Sequence, residues 1–431
     1  MSKFIYFYTL LFLFSLTSIY PVPVSADEDQ FKLRGYIKPL FKLTDFKSLD
    51  LKIEGSNAEE PEIEGSLTTT VRFNLFWKPN KSVSSEIAYE LTPRIQNPDV
   101  SLSSVTFQAA DSLSYRAIDP GEKMYSSSDN SDIQIFHNID RAFVTFSPLF
   151  GDIHIGRQPI AFGSAHVINP TDILTSFTYT ELNKEERFGI DAVRMKIPVG
   201  SLSEIDMGIV IGDDFSVKES AAFLRGKFFI FETDIAPLAI IFKQNLLLGF
   251  DIAGSIKDAG YWFEGAHVYA NIADDHITTQ DYIRFSTGLD YSFGENLYAY
   301  IEYHFNGAGE DSPDRYGALI LGLENAIAYR EGAVYLYGRH YIAPGFSYQV
   351  TPLLTFLAQV LYNTGDRSIL LSPNVQYSLS DNALIEAGAF AGIGKGSEII
   401  RNSDTGVVNI SANSEFSLYP DTFFLSVKYY F

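Results

Sequence analysis

The sequence predicts an all-β fold: a transmembrane, antiparallel, up-and-down β-barrel of about 18 strands, with 16 as the alternative. Three observations predict it. Segments of about ten residues alternate apolar and polar side chains along the whole chain, as barrel strands do between lipid and lumen. Beyond residue 26 no apolar run approaches the roughly 20 residues that a spanning helix needs; IAPLAIIF, at 235–242, is the longest and contains a proline. The final segment, TFFLSVKYYF, sets Phe423, Leu425, Val427, Tyr429 and Phe431 on one face and ends on that last aromatic.

The chain opens with Met-Ser-Lys and an apolar stretch from Phe4 to Tyr20, then PVPVSA. Val24 and Ala26 stand where a signal peptidase requires small residues. The segment 1–26 therefore predicts a secretory signal cut near Ala26, with the barrel occupying 27–431. An uncleaved anchor is the alternative, because the apolar run is long for a signal core.

Composition favours strands that meet a membrane. The chain holds 26 Tyr and 35 Phe, 15% aromatic in all, and barrels use such residues as girdles at the two interfaces. It has no Cys, which fits a sheet that closes on itself and needs no staple. The formal net charge is −21, and −22 once Lys3 leaves with the leader. A balance so acidic excludes nucleic acid as a partner, since phosphate binding requires basic patches. The acids gather in EGSNAEEPEIEG (54–65), IADDHITTQD (272–281) and GAGEDSPD (307–314), which read as solvated loops or as a negative mouth.

Strand by strand, the alternation assigns faces. In SLTTTVRFNLFWKPN (66–80), Val71, Phe73, Leu75 and Trp77 oppose Thr68, Thr70, Arg72 and Asn74; a Pro79-Asn80 turn leads into 81–91, where Ile87, Tyr89 and Leu91 oppose Glu86, Ala88 and Glu90. In 31–40, Lys32, Arg34, Tyr36 and Lys38 oppose Phe31, Leu33 and Ile37. In 295–306, Tyr298, Tyr300, Glu302, His304 and Asn306 oppose Leu297, Ile301 and Phe305. In 281–293 the polar set is Arg284, Ser286, Gly288 and Asp290. Strands are expected at 29–43, 66–78, 80–91, 134–147, 150–159, 187–198, 202–211, 220–230, 232–243, 245–256, 259–270, 281–292, 295–306, 339–350, 353–363, 369–379, 383–394 and 421–431. Merging within 220–256 would give 16. Short turns near 147–152, 198–203, 257–260, 293–296, 351–352 and 379–382 mark one end of the barrel, the periplasmic one. Long segments mark the other.

A barrel of this size leaves an aqueous interior, where 8 strands would fill theirs with side chains. The expected function is an outer-membrane porin or channel for hydrophilic solutes, with selectivity set by infolded loops and lumenal charge. Three segments are long enough to fold inward: 93–133, 160–186 and 307–338, the first equally a surface loop. LGLENAIAYREG (321–332) within the third reads as a short helix. Inward basic residues are Lys32, Arg34, Lys38, Arg72, Arg141, Arg194 and Lys196. Inward acids are Glu86, Glu90, Asp251, Glu264, Asp290, Glu302 and Glu386. Lipid-facing Lys or Arg would cost about 2–4 kcal/mol at the midplane. Candidate lumen or constriction residues are Arg34, Arg72, Arg157, Gln158, Asp191, Arg194, Lys196 and Glu302. Either a selectivity ladder or mutually neutralised pairs accounts for the mixed signs.

IHIGRQPIAFGSAHVINPTDIL (153–174), followed by ERFGIDAVRMKIP (186–198), resembles the alginate-export-like porins and related porin-like barrels. Gly156, Arg157, Gln158, Phe162 and Gly163, then Asp191, Ala192, Val193 and Arg194, carry the resemblance over about 45 residues plus the strand plan. It implies an Arg-lined lumen passing an anionic polysaccharide, with Arg157 and Arg194 at the constriction. Arg157 and Asp191 also read as an ion pair that fixes a loop, and Asn169-Pro170-Thr171-Asp172 as a turn plus helix cap. The C-terminal Phe431 resembles the signal by which the barrel-assembly machinery recognises outer-membrane barrels, whose surroundings are outer-membrane lipid and lipopolysaccharide. The expected state is a monomer, with a trimer as the alternative.

Three other classes compete with a channel. Ser164, His154, His166 and Asp172 are near in sequence, yet show neither a nucleophile elbow nor zinc spacing, so no catalytic residue, metal or cofactor is expected. A surface-exposed structural or adhesive barrel remains the alternative. A plugged 22-stranded receptor needs a longer chain.

Overall fold

A computed structural model describes residues 30–46, 49–54, 63–96, 115–117, 123–126, 133–177, 182, 186–272, 280–322, 326–402 and 408–431. The signal segment 1–26 lies outside these residues. Eighteen strands form the wall. The first six are β1 (Phe31–Asp45), β2 (Ile63–Asn80), β3 (Val83–Gln96), β4 (Ile133–Phe146), β5 (Asp152–Gln158) and β6 (Ile190–Val199). Next come β7 (Ser203–Val210), β8 (Ala221–Ile230), β9 (Thr233–Phe242), β10 (Asn245–Ile256), β11 (Ala259–Tyr269) and β12 (Tyr282–Phe293). The ring ends with β13 (Leu297–Asn306), β14 (His340–Thr351), β15 (Leu354–Asn363), β16 (Ile369–Ser380), β17 (Ala383–Ile393) and β18 (Asp421–Tyr430).

Each strand pairs antiparallel with the next, and β18 returns to β1. Closure runs from Asp45 opposite Asp421 to Tyr36 opposite Tyr430. Gly35 and Phe431 then exchange both backbone hydrogen bonds at 3.0 Å. The barrel therefore has no free edge, the condition for placing backbone in hydrocarbon. The segment 220–256 holds three separate strands, so 18 holds and 16 does not.

Pleating enforces the faces. Phe73, Leu75, Trp77 and Ile87 are exposed on the outside, whereas Arg72 and Ala88 beside them are fully buried. Along β13, Ile301 is half exposed while Glu302, His304 and Asn306 are buried. So broad an apolar exterior would be untenable in water. It is the lipid face of a barrel.

Two-residue hairpins tighten the turn end: Phe231 and Glu232 both adopt positive φ, 50° and 59°, the twist that hairpin strands require. At the loop end, Lys123–Ser126 adds to β4. Leu49–Glu54 pairs in parallel with Ser397–Asn402, which pairs with Val408–Ser411. These strands tie the first loop to the last across the β1–β18 seam. Two short helices form: α1 (Tyr316–Ile320) ends just before the 321–332 span expected to be helical, and α2 (Ala326–Arg330) lies within it. The expected helix after Asn169-Pro170 does not form; Asp172 N–H closes only a turn on the Asn169 carbonyl, because its neighbours are held by the wall instead.

Candidate functional site

The lumenal charges of the first strands are matched to one another. Arg72 donates to Glu90 at 2.6 Å, to Asp140 at 2.7 Å and to Asn74 at 2.9 Å, with Glu186 at 3.4 Å. Arg141 reaches Glu186 at 2.9 Å and Glu86 at 3.4 Å. Arg157 grips both oxygens of Asp191, at 2.9 and 3.0 Å, and its third arm donates to the Ile139 carbonyl. Arg194 does the same to Asp206, at 2.8 and 2.5 Å. Lys196 faces Glu204 at 3.5 Å. Bidentate guanidinium–carboxylate pairs of this kind fix geometry as well as charge.

Between a ladder and neutralised pairs, the described residues form pairs. Arg157 and Arg194, which the alginate-export-like resemblance implies at a constriction, both point inward, and each is matched to its own carboxylate. Gln158 is buried and donates to the Gly156 and Ala192 carbonyls, so it secures the wall. Asp191 has a second duty: it accepts the Ala117 N–H and thereby holds residues 115–117 of the first long loop. The rest of 97–132, apart from 123–126, lies outside the described residues. Arg34 is exposed on β1 opposite Asn74, with no ion pair among the described residues.

The second long loop, between β5 and β6, turns into the lumen, and two wall carboxylates take its backbone. Glu302 accepts the N–H groups of His166 at 2.8 Å, Val167 at 3.3 Å and Ile168 at 3.0 Å, and the Trp262 indole N–H at 3.0 Å. Glu264 accepts Ser164 and Ala165 N–H, Asn169 Nδ2, and both the N–H and hydroxyl of Thr171. Every one of these contacts is a donor, so both carboxyl groups serve the loop as acceptors. Gly163 has φ of +98°, and a Cβ there would lie 2.5 Å from both Glu264 oxygens. Glycine is the side chain this approach permits.

The third loop docks beside the second. Arg284 donates to the carbonyls of Pro170, Gly332 and Ala333, each at 3.0 Å, and so staples the two loops together from the wall. A cavity of about 150 Å³ remains between them, bordered by Asn169, Asp172, Arg187, Arg284, His304 and Asn306.

The sequence reading missed a fourth inward segment, the loop before β18. Its Glu415 is fully buried and accepts from Tyr341 OH, Asn363 Nδ2 (2.7 Å) and the Tyr337 N–H (2.7 Å), while its own N–H donates to Asp366. Nothing local marks it, because its partners are 49 or more residues away. Burial first, then the neighbouring Asp366 charge, pushes the Glu415 carboxyl up from 4.5 to about 7. The folded loop thus holds a proton that the released loop gives up. Its stability is greatest below pH 4.5 and falls as pH rises toward about 7. Hydrogen exchange of residues 412–418 should accelerate across that window, beyond the intrinsic base-catalysed rise, and Glu415→Gln should remove the excess.

The residues considered for catalysis do not assemble. His154 Nδ1 bonds Thr145, Ser164 donates to Asp251, Asp172 pairs with Arg187, and His166 stacks on Trp262. Among the described residues no cluster of His and acids is arranged for a metal.

A closed ring of 18 antiparallel strands with an apolar exterior and inturned loops defines a porin-like barrel. No family model matches the chain, and no curated protein matches it significantly. Among solved structures, OccAB2 of Acinetobacter baumannii superposes with a TM-score of 0.57 at 7% identity, over 94% of this chain and 98% of that one. OccAB4 of the same organism gives 0.54 at 9% identity over 94% and 100%, and OccAB1 gives 0.53 at 10% over 93% and 96%. At such identities the shared property is the fold.

Proposed function

We propose that this chain is an outer-membrane channel for diffusion or export of hydrophilic solutes, reaching its membrane after removal of the leader near Ala26. The observation that carries the reading is the anchoring of the 164–171 backbone on Glu264 and Glu302 inside an 18-stranded wall. Burying loop backbone against wall carboxylates narrows a lumen that strand number alone would leave wide.

Selectivity then rests on lumenal charge left over after pairing, with Arg34 the residual cation among the candidate lumen residues. The paired set of Arg72, Arg157, Asp191, Arg194 and Lys196 keeps the wall in register. The exposed Phe431 at the seam is the feature offered to assembly machinery. Outer-membrane lipid and lipopolysaccharide cover the apolar belt, and the working unit is a monomer. The solute is small and hydrophilic, or an extended polysaccharide threading past the loops.

Purified protein in planar bilayers is expected to give discrete conductance steps, and a panel of charged and neutral solutes should interrupt them selectively. A folded, inserted protein that leaves the bilayer sealed would overturn the reading.

A further inference from the structure

One lumenal carboxylate of the wall has the infolded histidine as its ionisable neighbour. Asp290, on β12, makes no ion pair with any Lys or Arg among the described residues; its one charged-pair neighbour is His166, with Nε2 at 3.8 Å. That histidine rides on the infolded loop and lies in a seat made of rings. Its imidazole stacks on Trp262 with centroids 4.0 Å apart and an 18° tilt. Tyr300 meets it edge-on at 5.3 Å, and Tyr298 lies at 6.3 Å with its hydroxyl 3.3 Å from Nδ1.

The seat belongs to the wall. Trp262 is buried, lies flat over Gly288, where a Cβ would come within 2.2 Å of the indole, and is pinned through its N–H to Glu302. Its components come from β11, β12 and β13, and only the occupant comes from the loop. The groups facing the imidazole are thus Trp262, Asp290, Tyr298 and Tyr300, with the Glu302 carboxylate on its own backbone N–H. No cation faces it from any of these strands. The Trp262 face beside the Asp290 carboxylate favours a cation through the ring quadrupole and the full negative charge together, while the Tyr298 and Tyr300 rings wall the seat. The tethered imidazole is a weak match: burial lowers its basicity, and Asp290 restores part of it.

We propose that the Trp262–Tyr298–Tyr300–Asp290 cage is a binding site for a small organic cation of the imidazolium or alkylammonium class, and that His166 is its tethered, displaceable occupant. The site stands on the cage itself, so it survives or fails independently of conductance.

The test uses folded full-length protein in detergent. Of the two tryptophans, Trp77 faces lipid, and Trp77→Phe leaves Trp262 as the single reporter. In that background His166→Ala empties the seat. At about pH 6, where free imidazole is mostly cationic, imidazole should quench Trp262 saturably at millimolar concentration. The protein that retains His166 should show only weak, linear collisional quenching. Adding Asp290→Asn should weaken the saturable phase about tenfold, the scale of one lost charge pair. Linear quenching identical in all three proteins would overturn the proposal, as would an Asp290→Asn variant of unchanged affinity. If His166→Ala does not fold, the His166 protein serves by itself. Its Trp262 emission should fall as the seated imidazole protonates, and Asp290→Asn should move that midpoint to lower pH. An unmoved midpoint would be equally fatal.

Discussion

Protein carrying Glu302→Gln is expected to keep its barrel and lose its inner loop. Glu302 receives three consecutive backbone N–H groups and the Trp262 indole. Glutamine has nearly the same shape, but one of its two terminal atoms is a donor and must face donors. Bonds to a charged acceptor are the strong ones, and a buried N–H left unmet costs roughly 1–3 kcal/mol. The loop should therefore lose about 2–4 kcal/mol of anchoring, a shift of one to three decades in its open population. Limited proteolysis should begin to cut within 163–171 while the heat-modifiable migration of the barrel persists, and single-channel conductance should rise. Glu386→Gln is the control, because among the described residues Glu386 accepts from Asn374 and Gln376 and from no loop backbone. A cleavage pattern identical for the two variants would show that Glu302 does not hold the loop.

Arg72→Met should act on the barrel itself. Its guanidinium is fully buried and engages Glu90, Asp140 and Glu186. Methionine fills much of the volume and none of the charge, leaving Asp140 and Glu186 with Arg141 and Glu90 with no ion-pair partner among the described residues. Removing one partner from a buried ionic cluster typically costs about 3–5 kcal/mol. The temperature at which the folded band converts to the unfolded one in detergent should drop markedly. Arg72→Lys should recover only part of the loss, since a single ammonium cannot present the fork that spans Glu90 and Asp140. Unaltered heat resistance in the methionine variant would mean that the cluster contributes nothing net.

Asp140 shows why the cluster could be glimpsed but not assembled from sequence. Strict alternation places Arg141 inward and therefore its neighbour outward. Between β3 and β4 the register slips at Ala88 and Tyr89, which face Arg141 and Ile139 in turn. The bulged residue is Asp140, so two consecutive side chains are buried on the same side. A bulge of this kind re-aims one side chain and leaves no compositional trace.

The inner loop shows the same limit. Glycine at 163 and the run through Asp172 flag an unusual segment, yet its anchors lie 93 to 136 residues downstream. Only closure of the ring brings β11 and β13 across from that loop.

Taken alone, the sequence determined an up-and-down barrel of 16 or 18 strands, which side chains meet lipid and which meet the lumen, and the end that carries long loops; the separation of three strands within 220–256 settled the count at 18. Those properties follow from a pleat whose period is two and from the cost of placing charge in hydrocarbon, both of which act residue by residue. Tertiary structure alone decided which lumenal charges cancel, where the loops fold in, and that Asp290 faces a ring of aromatics with no Lys or Arg to match it. Those outcomes depend on register and curvature, which are properties of the closed sheet and of no single strand.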